Sequence, residues 1–213
     1  MSSGRTARNP ARGERRDALI AVAATLFSRK PYGEIFISDI ARAAGVAHGL
    51  LFYHFKDKRG LYLAALEKVL DDTIALSTAE GQSADVSTNL KAFVRRHMQH
   101  RRDHPRTMLA LMRAGGEDPE IEALRERARS AGSDALLEML GARHRPPPPA
   151  VRVAVRGCLG CVDEMTIDWL KHDFDLSLDE MQELAFDAVV AVLSAARHLD
   201  PGLAQSVALL RRG

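Results

Sequence analysis

The sequence predicts an all-α protein of about nine helices, with a small three-helix head ahead of a larger helical body. Two observations carry this. Apolar residues recur three and four apart in nearly every segment, and the breaks between segments hold helix caps, glycines and prolines. Of 213 residues, 46% are hydrophobic and 27% charged, an ordinary balance for a soluble chain with enough material for a core. No apolar run reaches the length of a membrane span, and the basic N-terminus lacks the apolar core of a leader, so the expected location is cytoplasmic, away from membranes.

Met1 to Gly13 mixes Ser, Gly, Pro and Arg without periodicity and is expected to be a flexible basic arm, residues 1–13. Its Arg5, Arg8 and Arg12 suit phosphates or a minor groove. A first helix is expected from about Glu14 to Arg29, with Leu19, Ile20, Ala23, Leu26 and Phe27 on one face, ended by Pro31, Tyr32 and Gly33.

Phe36 to Phe55, FISDIARAAGVAHGLLFYHF, reads as two short helices about one tight turn. Ile37, Ile40, Ala41 and Ala44 line the first, Gly45 ends it, and Val46, Leu50, Leu51 and Phe55 form the second apolar face. A small Ala41 permits a close crossing, Gly45 accepts a left-handed turn, and Leu51 can bury against the preceding helix. This spacing predicts a helix-turn-helix, whose second helix can lie in a DNA major groove; an ordinary helical hairpin is the alternative.

A fourth helix is expected from about Lys58 to Thr78, with Leu61, Ala65, Leu66, Val69, Leu70 and Ile74 inward, and a linker from Ala79 to Ser87. The fifth carries Leu90, Phe93, Val94, His97 and Met98. The sixth starts at His104 and Pro105, carries Met108, Leu109, Leu111 and Met112, and stops at Gly115 and Gly116. Asp118 and Pro119 open the seventh, with Ile121, Leu124, Ala128, Leu136, Leu137 and Leu140 apolar. Pro146 to Pro149 predict an extended polyproline connection. The eighth carries Val151, Val155, Leu159, Val162, Thr166 and Trp169, with Gly157 and Gly160 as small positions. Ser177 and Glu180 form a capping box for the ninth, which places Met181, Leu184, Ala185, Ala188, Val189, Val192, Leu193 and Ala196 on one stripe before Asp200, Pro201 and Gly202 end it.

Charge is unevenly distributed. Residues 1–60 carry eleven Lys/Arg against five Asp/Glu, and residues 61–213 carry nineteen against twenty-three. A basic head on an acidic body attracts and orients a polyanion such as DNA.

The run DIARAAGVAHGLLFYHFKDKRGLYLAAL resembles the N-terminal signature of the TetR family of transcriptional regulators, over roughly the first quarter to third of the chain. The resemblance implies a DNA-binding domain over residues 14–60 and a ligand-binding and dimerisation domain over 61–213. It implies groove contacts from Ala47, His48, Gly49 and Leu50, and phosphate contacts from Tyr53, His54 and Lys58. The sequence departs from the family at Phe36 and Ala47, where hydroxyl caps are common, and at Phe52, where Tyr is frequent.

The resulting expectation is a ligand-responsive regulator, a repressor that binds an inverted repeat in double-stranded DNA as a homodimer and is released by a small, largely apolar effector. Apolar surface on the eighth and ninth helices suggests a four-helix interface through Val155, Leu159, Val162, Leu184, Ala188 and Val192. Methionines beyond residue 97 suit an adaptable pocket, for which Phe93, His97, Met108, Met112, Met139, Met165 and Trp169 are the expected lining. The alternatives are a DNA-binding dimer with a filled body, and a helical enzyme whose head only resembles a DNA reader.

Enzyme chemistry finds no support in the sequence, and neither a cofactor nor a metal is expected. Cys158 and Cys161 form a C-x-x-C pair without a second pair or a preceding strand. His97, His100 and His104 lack further ligands, Asp71 and Asp72 lack a third carboxylate at Ala75, and no catalytic triad, phosphate loop or dinucleotide fingerprint occurs.

Overall fold

The computed structural model describes residues 12–78, 83, 85–113, 118–141 and 146–211. Among these the chain is helical throughout, in ten α-helices with two short 3₁₀ turns. They are α1 (Arg12–Arg29), α2 (Ile37–Ala44), α3 (His48–Phe55), α4 (Lys58–Thr78), α5 (Val86–Asp103), α6 (Pro105–Arg113), α7 (Pro119–Met139), α8 (Pro149–Lys171), α9 (Leu178–Ala196) and α10 (Pro201–Leu210). The chain divides into two compact units, Met1–Lys68 and Val69–Gly213, with the division inside α4.

In the first unit, Leu19, Ala23 and Phe27 of α1, Ile40 and Ala41 of α2, Leu51 and Phe55 of α3, and Leu61, Ala65 and Leu66 of α4 are buried. Phe27, Tyr32 and Tyr62 add an aromatic cluster, with ring centroids 4.9 Å apart for Phe27–Tyr62 and 4.8 Å for Tyr32–Tyr62. In the second unit the core joins α5, α7, α8, α9 and α10 through Leu90, Leu136, Val155, Trp169, Met181, Leu193 and Val207, among others.

Local chemistry sets the helix ends. Asp85 accepts hydrogen bonds from the Thr88 hydroxyl and from the Thr88 and Ser87 amides, and the hydroxyl first, then the amides, hold its carboxyl below the usual range; Asp118 accepts from the amides of Glu120 and Ile121. Ser177 and Glu180 form the reciprocal capping box at α9.

Three expectations change. The chain does not end its helices with α9: Asp200 accepts from the Leu203 amide, Pro201 takes the first position, and α10 buries Leu203, Val207 and Leu210. Pro149 joins α8, because a proline at the first helical position sacrifices an amide that has no partner there anyway; only the residues before it stay extended, with Pro148 at φ −52°, ψ 148°. Arg12 opens α1 instead of belonging to the arm. Arg5, Arg8, Gly115, Gly116 and most of the expected linker after Thr78 lie outside the described residues.

Candidate nucleic-acid interface and body cavity

The helix-turn-helix is organised by its turn. Gly45 adopts φ 65°, ψ 34°, and the Val46 amide donates to the Ala41 carbonyl, so the chain reverses within two residues before α3 begins. Phe36 cannot cap α2 with its side chain, but Asp39 accepts from the Phe36 amide at 3.0 Å, supplying half of a capping box. At α3, Ala47 supplies no side-chain cap.

Leu51 and Phe55 anchor α3 inward, which leaves Ala47, His48, Gly49, Phe52 and Tyr53 exposed and Leu50 and His54 half-buried. The His48 ring meets Phe52 edge-on at 5.1 Å, and Tyr53 meets His54 at 5.2 Å. A Cβ on Gly49 would have no neighbour within 4 Å, so packing does not demand glycine there.

Lys58, implied at phosphate by the resemblance, has a partner of its own within the head. Its ammonium sits 4.0 Å from the centre of the Tyr32 ring and donates to the Tyr32 carbonyl, so a competing partner within the head holds it. Lys56, the neighbouring basic side chain at the end of the reading helix, is exposed at the α3 C-terminus with φ 64°.

The second unit encloses a cavity of about 100 Å³. Phe93, His97, Met108 and Met112 line it, as do Leu90, Val94, Met98 and Leu136. Met139, Met165 and Trp169 do not. Trp169 is fixed elsewhere by its indole N–H donating to the Leu176 carbonyl at 2.9 Å and by an edge contact with Phe174; Met139 and Met165 pack against the core.

The cavity also has a polar side missing from the sequence reading. Arg101 donates to Asp163 at 3.0 Å and to the Thr166 hydroxyl at 2.8 Å, and Arg129 reaches the other Asp163 oxygen at 3.4 Å. Arg125 pairs with Glu122, which raises the guanidinium pKa and lowers that of the carboxyl. Spacing shows only the side of each helix, with Arg101 four residues beyond His97 and Arg125 and Arg129 on one side with Gly132 and Leu136, and not that these sides meet.

His97 is buried, and its Nδ1–H donates to the Phe93 carbonyl at 2.8 Å; burial drives its pKa down to about 3, so the ring is neutral. His100 is also lowered, first by burial and then by His104, and its Nε2–H donates to the Val69 carbonyl. Burial pushes the Cys158 thiol up to about 12, and it points at the Val189 carbonyl, an unreactive packing thiol. Among the described residues no group of His, Cys, Asp or Glu is arranged to hold a metal ion, and no helix is long and apolar enough to cross a membrane.

The expected α8 interface is also corrected. Val155 is buried in the monomer, and Leu159 and Val162 line the cavity, because that apolar side of α8 faces the core. Apolar or small residues left outside include Val153 and Gly157 on α8, Leu184 on α9 and Leu199 just beyond it, with Ala188 and Val192 half-buried.

A helix-turn-helix in the first unit, in a chain that is helical over its described residues, is the geometry of a DNA-binding module. Residues 19–65 match the family model for bacterial regulatory proteins of the tetR family. The chain is 25% identical over 177 residues to the HTH-type transcriptional activator FasR of Mycolicibacterium smegmatis, covering 81% of this chain and 80% of FasR. A tetR-family regulator from Streptomyces coelicolor superposes with a TM-score of 0.84 at 27% identity, covering 95% of this chain and 89% of that one. The fold alone is shared with FadR from Bacillus subtilis in complex with stearoyl-CoA, at a TM-score of 0.65 and 17% identity over 81% of this chain and 96% of that one. Residues 19–65 thus carry a tetR-family DNA-binding head, and over most of its length the chain is similar to TetR-family transcriptional regulators.

Proposed function

We propose that the protein is an effector-responsive repressor that binds an inverted-repeat operator as a homodimer and leaves it when a small, largely apolar molecule occupies the body. The observation that carries the DNA half is α3, anchored by Leu51 and Phe55 and presenting Ala47, His48, Gly49 and Tyr53 outward, with Leu50 and His54 half-buried at its flanks. The cavity in Val69–Gly213, walled by Phe93, Met98, Met108 and Met112, supports the effector half.

One eight-residue helix makes few base contacts, so tight specific binding favours two copies related by a two-fold axis. The exposed side chains of Val153, Leu184 and Leu199, next to a close α8–α9 approach at Gly157 and Val192, offer a self-complementary apolar face. The domains then follow the division of labour expected from sequence, with α4 belonging to both units. Arg12 and the arm before it are assigned to phosphate or minor-groove contact.

Selection of bound fragments from genomic DNA by the purified protein tests this reading. The expected result is an enriched inverted repeat whose base preference changes in His48→Ala; recovery of no such repeat removes the operator claim. The similarity to FasR, a transcriptional activator, favours a second reading, activation at the same kind of site. A reporter placed behind the selected repeat separates the two by the sign of its response.

A further inference from the structure

We infer that the body cavity is built for a compact apolar acid, an aromatic or short aliphatic carboxylate whose charge is met by Arg101 and Arg129. This rests on the effector reading above and narrows it to a chemical class.

Three guanidiniums, those of Arg101, Arg125 and Arg129, line the cavity beside one carboxylate, Asp163. Asp163 is already divided between Arg101 and Arg129, at 3.0 and 3.4 Å, and Arg125 is occupied by Glu122. Glu126 also acts on Arg125 and Arg129 but is paired with Arg156, so among the described residues four guanidiniums face three carboxylates and one positive charge is in excess. The side chains of Arg101 and Arg129 are only 12% and 28% exposed, and the Nε–H of each is buried without a hydrogen-bond partner among the described residues. A desolvated cation in excess is costly, and an anion in the cavity answers that charge through charge-assisted bonds to the guanidiniums.

The rest of the wall decides the remainder of the molecule. Phe93, Met98, Leu136 and Val189 offer hydrocarbon contact, so the non-polar part is apolar. A space of about 100 Å³ is smaller than the roughly 150 Å³ cavity that accommodates benzene, which selects a compact body over a long acyl chain. Met108 and Met112 can shift rotamers to admit one ring or a short chain. A cationic ligand would meet the surplus positive charge, and a neutral one would leave it unanswered.

The test is calorimetric titration of the full-length protein with benzoate, phenylacetate, cyclohexanecarboxylate and hexanoate, each beside its primary amide. At least one acid is expected to bind about tenfold or more tightly than its amide, and Arg129→Gln is expected to remove that preference while Arg129→Lys retains part of it. Amides binding as well as the acids would overturn the charge assignment and leave the effector reading standing. Binding by neither series would overturn both. An undiminished acid preference in Arg129→Gln would overturn the role of Arg129, and if that variant does not fold, the acid–amide comparison on the native protein decides alone.

Discussion

A Cβ placed on Gly60 would overlap the carbonyl oxygen of Phe55. The end of α3 and the first turn of α4 meet at that point, where Asp57 also accepts the Gly60 amide at 2.7 Å. Since the obstacle is backbone, no side-chain rotation relieves it. Gly60→Ala should therefore destabilise the protein by about 2 kcal/mol and lower its melting temperature by roughly 4–8 °C. Gly49→Ala is the contrasting case, because open space surrounds that position. It should stabilise the exposed helix by up to about 1 kcal/mol while weakening operator binding, through the methyl now standing between α3 and DNA. Melting curves and fluorescence-anisotropy titrations of the two variants check the pair, and a Gly49→Ala protein that binds as tightly as the parent would argue against the docking pose.

His97 gives the protein a defined response to acid. Its pKa falls from 6.5 to about 3 on folding because burial disfavours the charged ring, so the unfolded chain takes up a proton that the folded chain refuses. The associated stability is fully present above pH 6.5 and is lost as pH falls toward about 3. Between pH 7 and pH 5 the loss from this group should be about 2 kcal/mol, with His100 adding in the same direction. Urea unfolding at the two values is the measurement. His97→Gln should be less stable at neutral pH but show a visibly smaller change between the two.

The proposed dimer face makes a prediction of its own. Leu184 is 50% exposed, so Leu184→Glu should leave the fold intact and place a charge where an apolar partner surface would have to desolvate it. Light scattering should report a monomer, and operator affinity should fall by about a hundredfold or more as one recognition helix is lost. A dimer that survives both this change and Ala188→Glu would place the interface elsewhere.

These predictions depend on residues the sequence exposed unevenly. The turn at Gly45, the caps at Asp118 and Ser177 and the bounds of α4 were legible because each is local, fixed by residues a few positions apart. The same reasoning could have found α10, since Asp200–Pro201 repeats the signature of Asp118–Pro119. Non-local choices were hidden. Helical periodicity shows that Val155, Leu159 and Val162 share a side of α8, but not that the monomer's own core and cavity claim it. Nor could spacing show that Arg101, Arg129 and Asp163, from three different helices, converge on one wall, or that Trp169 turns toward Leu176 instead.

Lys56 and Lys58 separate electrostatics from structure at the edge of the reader. Lys58 lies over Tyr32, linking the segment after α1 to the start of α4, whereas Lys56 is exposed beside α3. Lys58→Gln should cost about 0.5–1 kcal/mol of stability through the lost cation–π contact, and it should leave the dependence of operator affinity on salt nearly unchanged. Lys56→Gln should do the reverse, with stability preserved and the slope of log affinity against log salt reduced by about one for each half-site. Anisotropy titrations across a salt series, paired with melting curves, resolve the two effects. A flattened slope in Lys58→Gln would mean that its ammonium leaves the Tyr32 ring for a phosphate when DNA arrives, restoring the contact implied by the family resemblance.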